Sequence, residues 1–127
     1  MDLSHTLFET LNIEVEEAKK DYVVLSMPVN ATVHQPLGFL HGGASVALAE
    51  SAASLGAFLN VDADRYNVFG IEINANHVKS KREGMVYATA KPIHIGRMTM
   101  VWEINITDEG DQLISTSRCT IGVVERT

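Results

Sequence analysis

The stretch His34–Asn60, HQPLGFLHGGASVALAESAASLGAFLN, decides the fold. Turn-forming residues lead into Gly42-Gly43. Ala, Leu and Ser, which suit a helix, then dominate as far as Phe58, with Gly56 the only breaker. Almost every position in this run is apolar, from Ala44 and Val46 through Leu48 and Ala52 to Leu55 and Phe58. A helix apolar on all sides is expected to be buried. About 17 residues would make it roughly 26 Å long, close to the width of a small domain. A single carboxylate, Glu50, interrupts it, flanked by Ser51 and followed one turn later by Ser54. Desolvating an unpaired carboxylate is costly, so Glu50 should be compensated or used.

Outward from the helix the chain reads as strands. Residues 2–11 place Leu3, Leu7, Phe8 and Leu11 on one face of a short amphipathic helix. Ile13–Ala18 alternates weakly and suits an edge strand. Lys20–Val29 alternates well, with Val23, Leu25, Met27 and Val29 on one face. Pro28 places the end of that strand at an edge, or already leaving the sheet. After the helix and the polar connection 61–66 come four strand-like runs: Asn67–Ser80, Met85–Ile95, Arg97–Thr107 and Gln112–Val124. Glu83-Gly84, Gly96 and Asp108–Asp111 break them. The expected fold is α+β: an antiparallel sheet, its last four strands in meander order, curling around one buried helix. The sheet's outer face and an edge are left to manage, which points to oligomers.

Composition narrows the classes. The 127 residues make one domain, 1–127, long enough for a real core. A net charge of −6, with no basic stripe beyond Lys79-Ser80-Lys81-Arg82, argues against nucleic acid. No apolar run reaches a membrane span, and the N-terminus lacks an export signal, so a cytoplasmic protein is expected. The one cysteine, Cys119, excludes an intrachain disulfide. It shares strand parity with Leu113, Ile121 and Val123, and reads as a buried thiol. Four of the five histidines, His34, His41, His77 and His94, have no short ligand spacing between them and no cysteine beside them, so no metal is expected.

Three segments, HQPLGFLHGGASVALAE (34–50), GIEINANHVKS (70–80) and KPIHIGR (91–97), together resemble the hot-dog-fold acyl-CoA thioesterases, in particular the aryl-CoA type of the phenylacetate and menaquinone (dihydroxynaphthoyl-CoA) pathways. The resemblance spans residues 5–124. It implies a helix enclosed by a curved sheet, subunits paired sheet to sheet, active sites between two protomers, and usually a tetramer built as a dimer of dimers. CoA is then part of the substrate, and no cofactor is implied.

Glu50 is the expected catalytic carboxylate, as nucleophile through a mixed anhydride or as general base on water. The bland alternative, a buried Glu satisfied by Ser54 and a backbone group, gives a helix core nothing in return for desolvation. Ser54, on the same face, could orient the carboxylate or a water, or simply bond back to the Glu50 carbonyl. Gly42 and Gly43 sit where free N–H groups and the positive helix end suit an oxyanion, unless they only loosen the loop. The resemblance makes the Gly42 amide the group that polarises the carbonyl, assisted by His41 and Gln35; by residue type alone, both would be ordinary solvated loop groups. Gly42 and Glu50 stand eight residues apart, about 12 Å along a helix, too far for one protomer to bring both to one carbonyl. Two antiparallel helices could do so.

By the same resemblance, Gly70, His77, Val78, Lys79 and Ser80 hold the CoA arm or nucleotide, together with Arg82 and the run His94, Ile95, Gly96, Arg97, Met98 and Thr99. Lys79, Lys81, Arg82 and Arg97 suit phosphate, although basic residues at strand ends are commonly solvated. Other readings are a proofreading thioesterase acting on carrier-protein-bound acyl groups, a hot-dog dehydratase, and a non-catalytic acyl-CoA-binding module. The dehydratase is disfavoured because the helix offers only Glu50. The module is disfavoured because Glu50 would weaken a mere binder.

Overall fold

The computed structural model describes residues 2–127; Met1, part of the expected domain, lies outside them. A one-turn helix α1 (Leu7–Thr10) precedes strands β1 (Glu14–Lys19) and β2 (Tyr22–Val29). A 3-10 turn, Ala31–Val33, and an irregular loop lead to the long helix α2 (Gly42–Phe58). Then come β3 (Tyr66–His77), β4 (Gly84–Ile95), β5 (Thr99–Asp108) and β6 (Leu113–Glu125). All six strands form one antiparallel sheet, ordered β1-β2-β4-β5-β6-β3, and α2 packs across it, touching every strand. This is the hot-dog architecture. No helix of the described residues is long and apolar enough to cross a membrane.

The meander holds only for β4-β5-β6. β3 pairs with β6, not with β4, because α2 carries the chain across the sheet and delivers it to the far edge. Residues 78–83, between β3 and β4, are a return connection rather than a hairpin turn. Pro28 lies where expected: β1 stops pairing at Ser26, so Pro28 bonds only towards Met85 of β4, and its missing N–H costs the ladder little. The parity expected for β6 fails at one point. The register shifts between Ile106 and Thr107, Ile114 and Ser115 are both buried, and Leu113 is left exposed.

Burial of α2 also differs from expectation. Ser45, Leu48, Ala49, Ala52, Ala53, Gly56 and Ala57 form a fully buried stripe against the sheet. The other stripe, with Val46, Ala47, Glu50, Ser51, Ser54, Leu55 and Phe58, is only half-buried in a single chain. The physical reason is that one sheet covers one side of a cylinder. Gly56 has a packing role: an added Cβ would fall 2.7 Å from Cζ3 of the buried Trp102. The helix ends are tied down. His41 caps the start, its Nδ1 accepting from the Gly43 N–H at 2.8 Å. At the other end, Asn60 Nδ2 donates to the carbonyls of Gly56 and Lys20.

Candidate active site

Glu50 faces β3. Its carboxylate lies against the bare Cα of Gly70, where an added Cβ would sit 2.9 Å from the Glu50 Cδ and nearer still to Oε2. The strand is irregular at that point: Ile71 is an extra residue, and the register shifts between Gly70 and Glu72. Bulges of this kind re-aim side chains, and here the consequence is specific. Gly70 and His77 have opposite parity in sequence, yet both face α2, because the bulge between them resets the alternation. His77 meets the helix start, its Nε2 standing 2.9 Å from where a Cβ on Gly42 would be.

The start of α2 is a donor-rich corner. Among the described residues the Gly42 N–H donates to no protein acceptor, as expected of a first-turn amide. His41 accepts through Nδ1, which leaves Nε2 as its outward donor. The Gln35 Oε1 accepts from the Leu37 N–H, which leaves the two Nε2 hydrogens to donate elsewhere. Gln35, Gly42, His77, Val78, Lys79 and Ser80 all line one cleft of about 350 Å³, with Ser45 and Ile114 at its floor. Six of the expected site residues therefore converge.

A second cleft, of about 600 Å³, opens one helical turn beyond Glu50. Ser54 and Ser51 line it beside Phe8, Leu55, Phe58, Val68 and Phe69, with Tyr66, Asn67, Asp64 and Arg126 adding polar groups. Arg126 Nη1 donates to the Ala63 carbonyl at 2.9 Å, strapping the tail over the 61–65 loop.

The second expected CoA segment is not at this corner. His94–Thr99 forms the β4–β5 hairpin, and Gly96 and Arg97 share a hollow of about 200 Å³ with Asn60, Asp62 and Tyr66, near the end of α2. The Gly96 N–H donates to the Thr99 carbonyl, and the Val123 N–H to that of Met98, so the hairpin is firmly held. Ile95 and Met98 are exposed. Within one chain, the 77–82 segment and this hairpin sit at opposite ends of a helix roughly 26 Å long.

Residues 37–115 match the thioesterase superfamily. This chain belongs to that superfamily. It is a thioester hydrolase, and similar thioesterases are known at high identity. A 1,4-dihydroxy-2-naphthoyl-CoA hydrolase of Listeria monocytogenes is 53% identical over 120 residues, covering 94% of this chain and 97% of the relative. The enzyme of that name from Escherichia coli is 45% identical over 114 residues, covering 90% and 83%. A mutant thioesterase of Pseudomonas aeruginosa superposes with a TM-score of 0.95 at 40% identity, covering 98% of this chain and 89% of that one.

Two features of this thioesterase's basic corner escaped sequence reading. Lys81 is engaged by Glu109, whose carboxyl is held below its usual range by that Lys81 contact and by the Met85 N–H. The Arg82 guanidinium stacks on the Phe39 ring at 4.4 Å, and the Arg82 carbonyl accepts from His34 Nε2 at 2.7 Å. These contacts, with the Leu40 N–H donating to the Lys81 carbonyl, bind the 34–41 and 79–83 loops into one wall. Nothing in the spacing of Phe39 and Arg82 signals that stack.

Proposed function

We propose that this thioesterase hydrolyses an aromatic acyl-CoA to the free acid and CoA, at sites composed from two copies of the chain. The observation that carries the reading is the Glu50 carboxylate, lodged against Gly70 at the strand bulge; it lines neither cleft and stands one helical turn from Ser54 of the larger. The donors at Gly42, His41 and Gln35 lie on the other side of a gap of about 12 Å along the helix. Two α2 helices side by side and antiparallel would bring the donors of one copy to the Glu50 of the other. In that register the end of each helix runs eight residues, about 12 Å, past the start of its partner. A CoA arm extended along that offset would reach from Lys79 and His77 of one copy to His94, Arg97 and Thr99 of the second, so that the divided CoA segments serve one ligand. The half-open stripe of α2 and the free edge of β3, with Phe69 and Ile71 exposed, give a second copy something to cover. Pairing of such dimers would give the homotetramer.

In this reading the Gly42 N–H, aided by Gln35 and His41, polarises the thioester carbonyl at a helix N-terminus. Glu50 attacks the carbonyl carbon or removes a proton from water, with Ser54 one turn away to orient it. The C–S bond breaks, and CoA leaves as thiolate; on the first route water then cleaves the acyl–Glu50 anhydride to free acid and Glu50, and on the second the water oxygen becomes the acid's second oxygen. Water is the only co-reactant, so this reading calls for no cofactor, and an acyl-CoA substrate supports a cytoplasmic location. The 600 Å³ cleft takes the acyl group; it is within the size range of small-molecule pockets, and its walls are largely aromatic and aliphatic. The Listeria and Escherichia relatives, named for a naphthoyl-CoA substrate, support the aryl class.

Two measurements test this. The first is a hydrolysis panel of aryl-, short- and long-chain acyl-CoAs and acyl carrier protein; the expected result is highest kcat/KM for aryl-CoA, and a preference for carrier protein would overturn the CoA assignment. The second mixes two inactive variants, Glu50→Ala and Gly42→Pro, after reversible dissociation. Shared sites predict that activity returns in the mixture, because hybrid dimers hold one intact pair. Hybrids that form and stay inactive would sink the composite site.

A further inference from the structure

We propose that Phe8 is the partition that sets how far an acyl group can extend beyond Glu50. This rests on the acyl-cleft reading above. The 600 Å³ cleft shares two of its walls with neighbouring hollows. Tyr66 separates it from the 200 Å³ hollow that holds Arg97 and Asp62, the smaller of the two. Tyr66 is also fixed, as the first residue of β3, by pairing with Glu125. Phe8 separates the cleft from a groove of about 470 Å³ with Leu3, Ile13 and Val15 on its apolar wall and the exposed Ser4, Glu9 and Glu14 beside them. An apolar chain too long for the cleft would follow that route, and the Phe8 ring stands in it.

The ring is held in place without belonging to the sheet. Phe8 sits on the single turn α1, its N–H donating to the Thr6 hydroxyl at 3.3 Å and its carbonyl accepting from the Ile13 N–H at 2.8 Å. The turn is bounded by two residues in the left-handed region, His5 at φ 59° and Asn12 at φ 57°. That conformation is uncommon for a side-chain-bearing residue, and it folds the segment back so that Phe8 and Leu11 lie on the core. A side chain projected from a wound one-turn segment can change size without disturbing strand register. Position 8 is therefore where the fold can alter acyl length while Glu50, Gly70 and Gly42 stay fixed.

The test compares wild type, Phe8→Leu and Phe8→Ala in two assays. Calorimetric titration with the free acids dodecanoate and 1-hydroxy-2-naphthoate reads the cleft without chemistry. Hydrolysis of the matching CoA thioesters reads it with chemistry. Opening the partition should raise dodecanoate affinity, and the dodecanoyl-to-naphthoyl ratio of kcat/KM, by at least about tenfold in Phe8→Ala, the lower end of what one methylene is worth in an apolar pocket. Phe8→Leu should move both in the same direction by less, and it serves as the measure if Phe8→Ala fails to fold. Affinities and ratios unchanged in a folded variant would overturn the inference, as would equal losses for both acids. A wild type that binds the acids but hydrolyses neither thioester would instead break the proposed function, and the titration alone would then decide the role of Phe8.

Discussion

The two stripes of α2 are built from nearly the same residues and do different work. On the stripe against the sheet, Ala49, Ala52 and Ala53 are buried, and Gly56 leaves the backbone open for Trp102 to pack on it. On the opposite stripe Glu50 faces β3 while Ser51 and Ser54 line the large cleft, all three half-buried rather than sealed. The difference teaches that small residues in this helix serve two ends. On one side they permit close packing, and on the other they leave a cleft one turn from a charge, the space the proposed acyl site would use. Substitutions on the first stripe should therefore cost stability, and substitutions on the second should cost rate.

The largest expected effect is on rate. Glu50→Ala should lower kcat by about 10²–10⁴-fold, the range for removing a positioned acid–base group. Because Glu50 is half-buried and makes no ion pair among the described residues, its loss should leave the thermal midpoint unchanged or slightly higher. A midpoint that falls in step with the rate would make Glu50 structural. Gly70→Ala sharpens the contrast, since the nearest atoms its new Cβ would meet all belong to the Glu50 side chain. The flexible Glu50 can swing aside, so the fold should survive. The displaced carboxylate should cost about 10²-fold in kcat, as misplacements of about 1 Å do. Full activity in Gly70→Ala would show that the observed Glu50 position is not the reactive one.

Gly56→Ala breaks the other side of the comparison. Helix propensity favours it by about 1 kcal/mol. The new Cβ would meet a fully buried indole that has nowhere to move, and overpacking of this sort costs about 1–3 kcal/mol. Chemical denaturation should show net destabilisation, while kcat per folded molecule stays near wild type. A gain in stability would mean that Trp102 has slack.

The smallest effect concerns pH. Burial, reinforced by the negative charges of Glu50 and Glu72, pushes the Cys119 thiol up to about 12, from 9.0 when unperturbed. Between those values the folded chain keeps a proton that the unfolded chain has lost. Stability must therefore fall as pH rises above 9, by up to about 1.4 kcal/mol per unit from this group. The difference in slope between wild type and Cys119→Ala, measured by urea unfolding from pH 8 to 10.5, isolates it. Equal slopes would mean that the thiol ionises freely in the folded protein.

Most of the architecture was legible locally. Val23, Leu25, Met27 and Val29 alternate and are buried as their spacing says, and the start, end and length of α2 follow from Gly42 and the run of helix formers. Strand order was not legible. Which strand β3 joins depends on where α2 sets the chain down, a fact of packing rather than of any turn residue. The extra residue at Ile71, and the slip beside Ile114, were hidden for a related reason. Periodicity reports alternation, and a single inserted residue reverses it without changing composition.

The sequence by itself determined the helix, its lone carboxylate, the strand-rich remainder, and the glycine-led turn that opens α2. Those are local consequences of propensity and patterning, which act over a few residues. Only the tertiary structure decided that Gly70 lies under Glu50, that His77 meets Gly42, and that the two basic segments stand at opposite ends of one helix. Each of these juxtapositions joins residues that are far apart in the chain. Each is set by a bulge, a crossover and the curvature of a sheet, which exist only once the strands have paired.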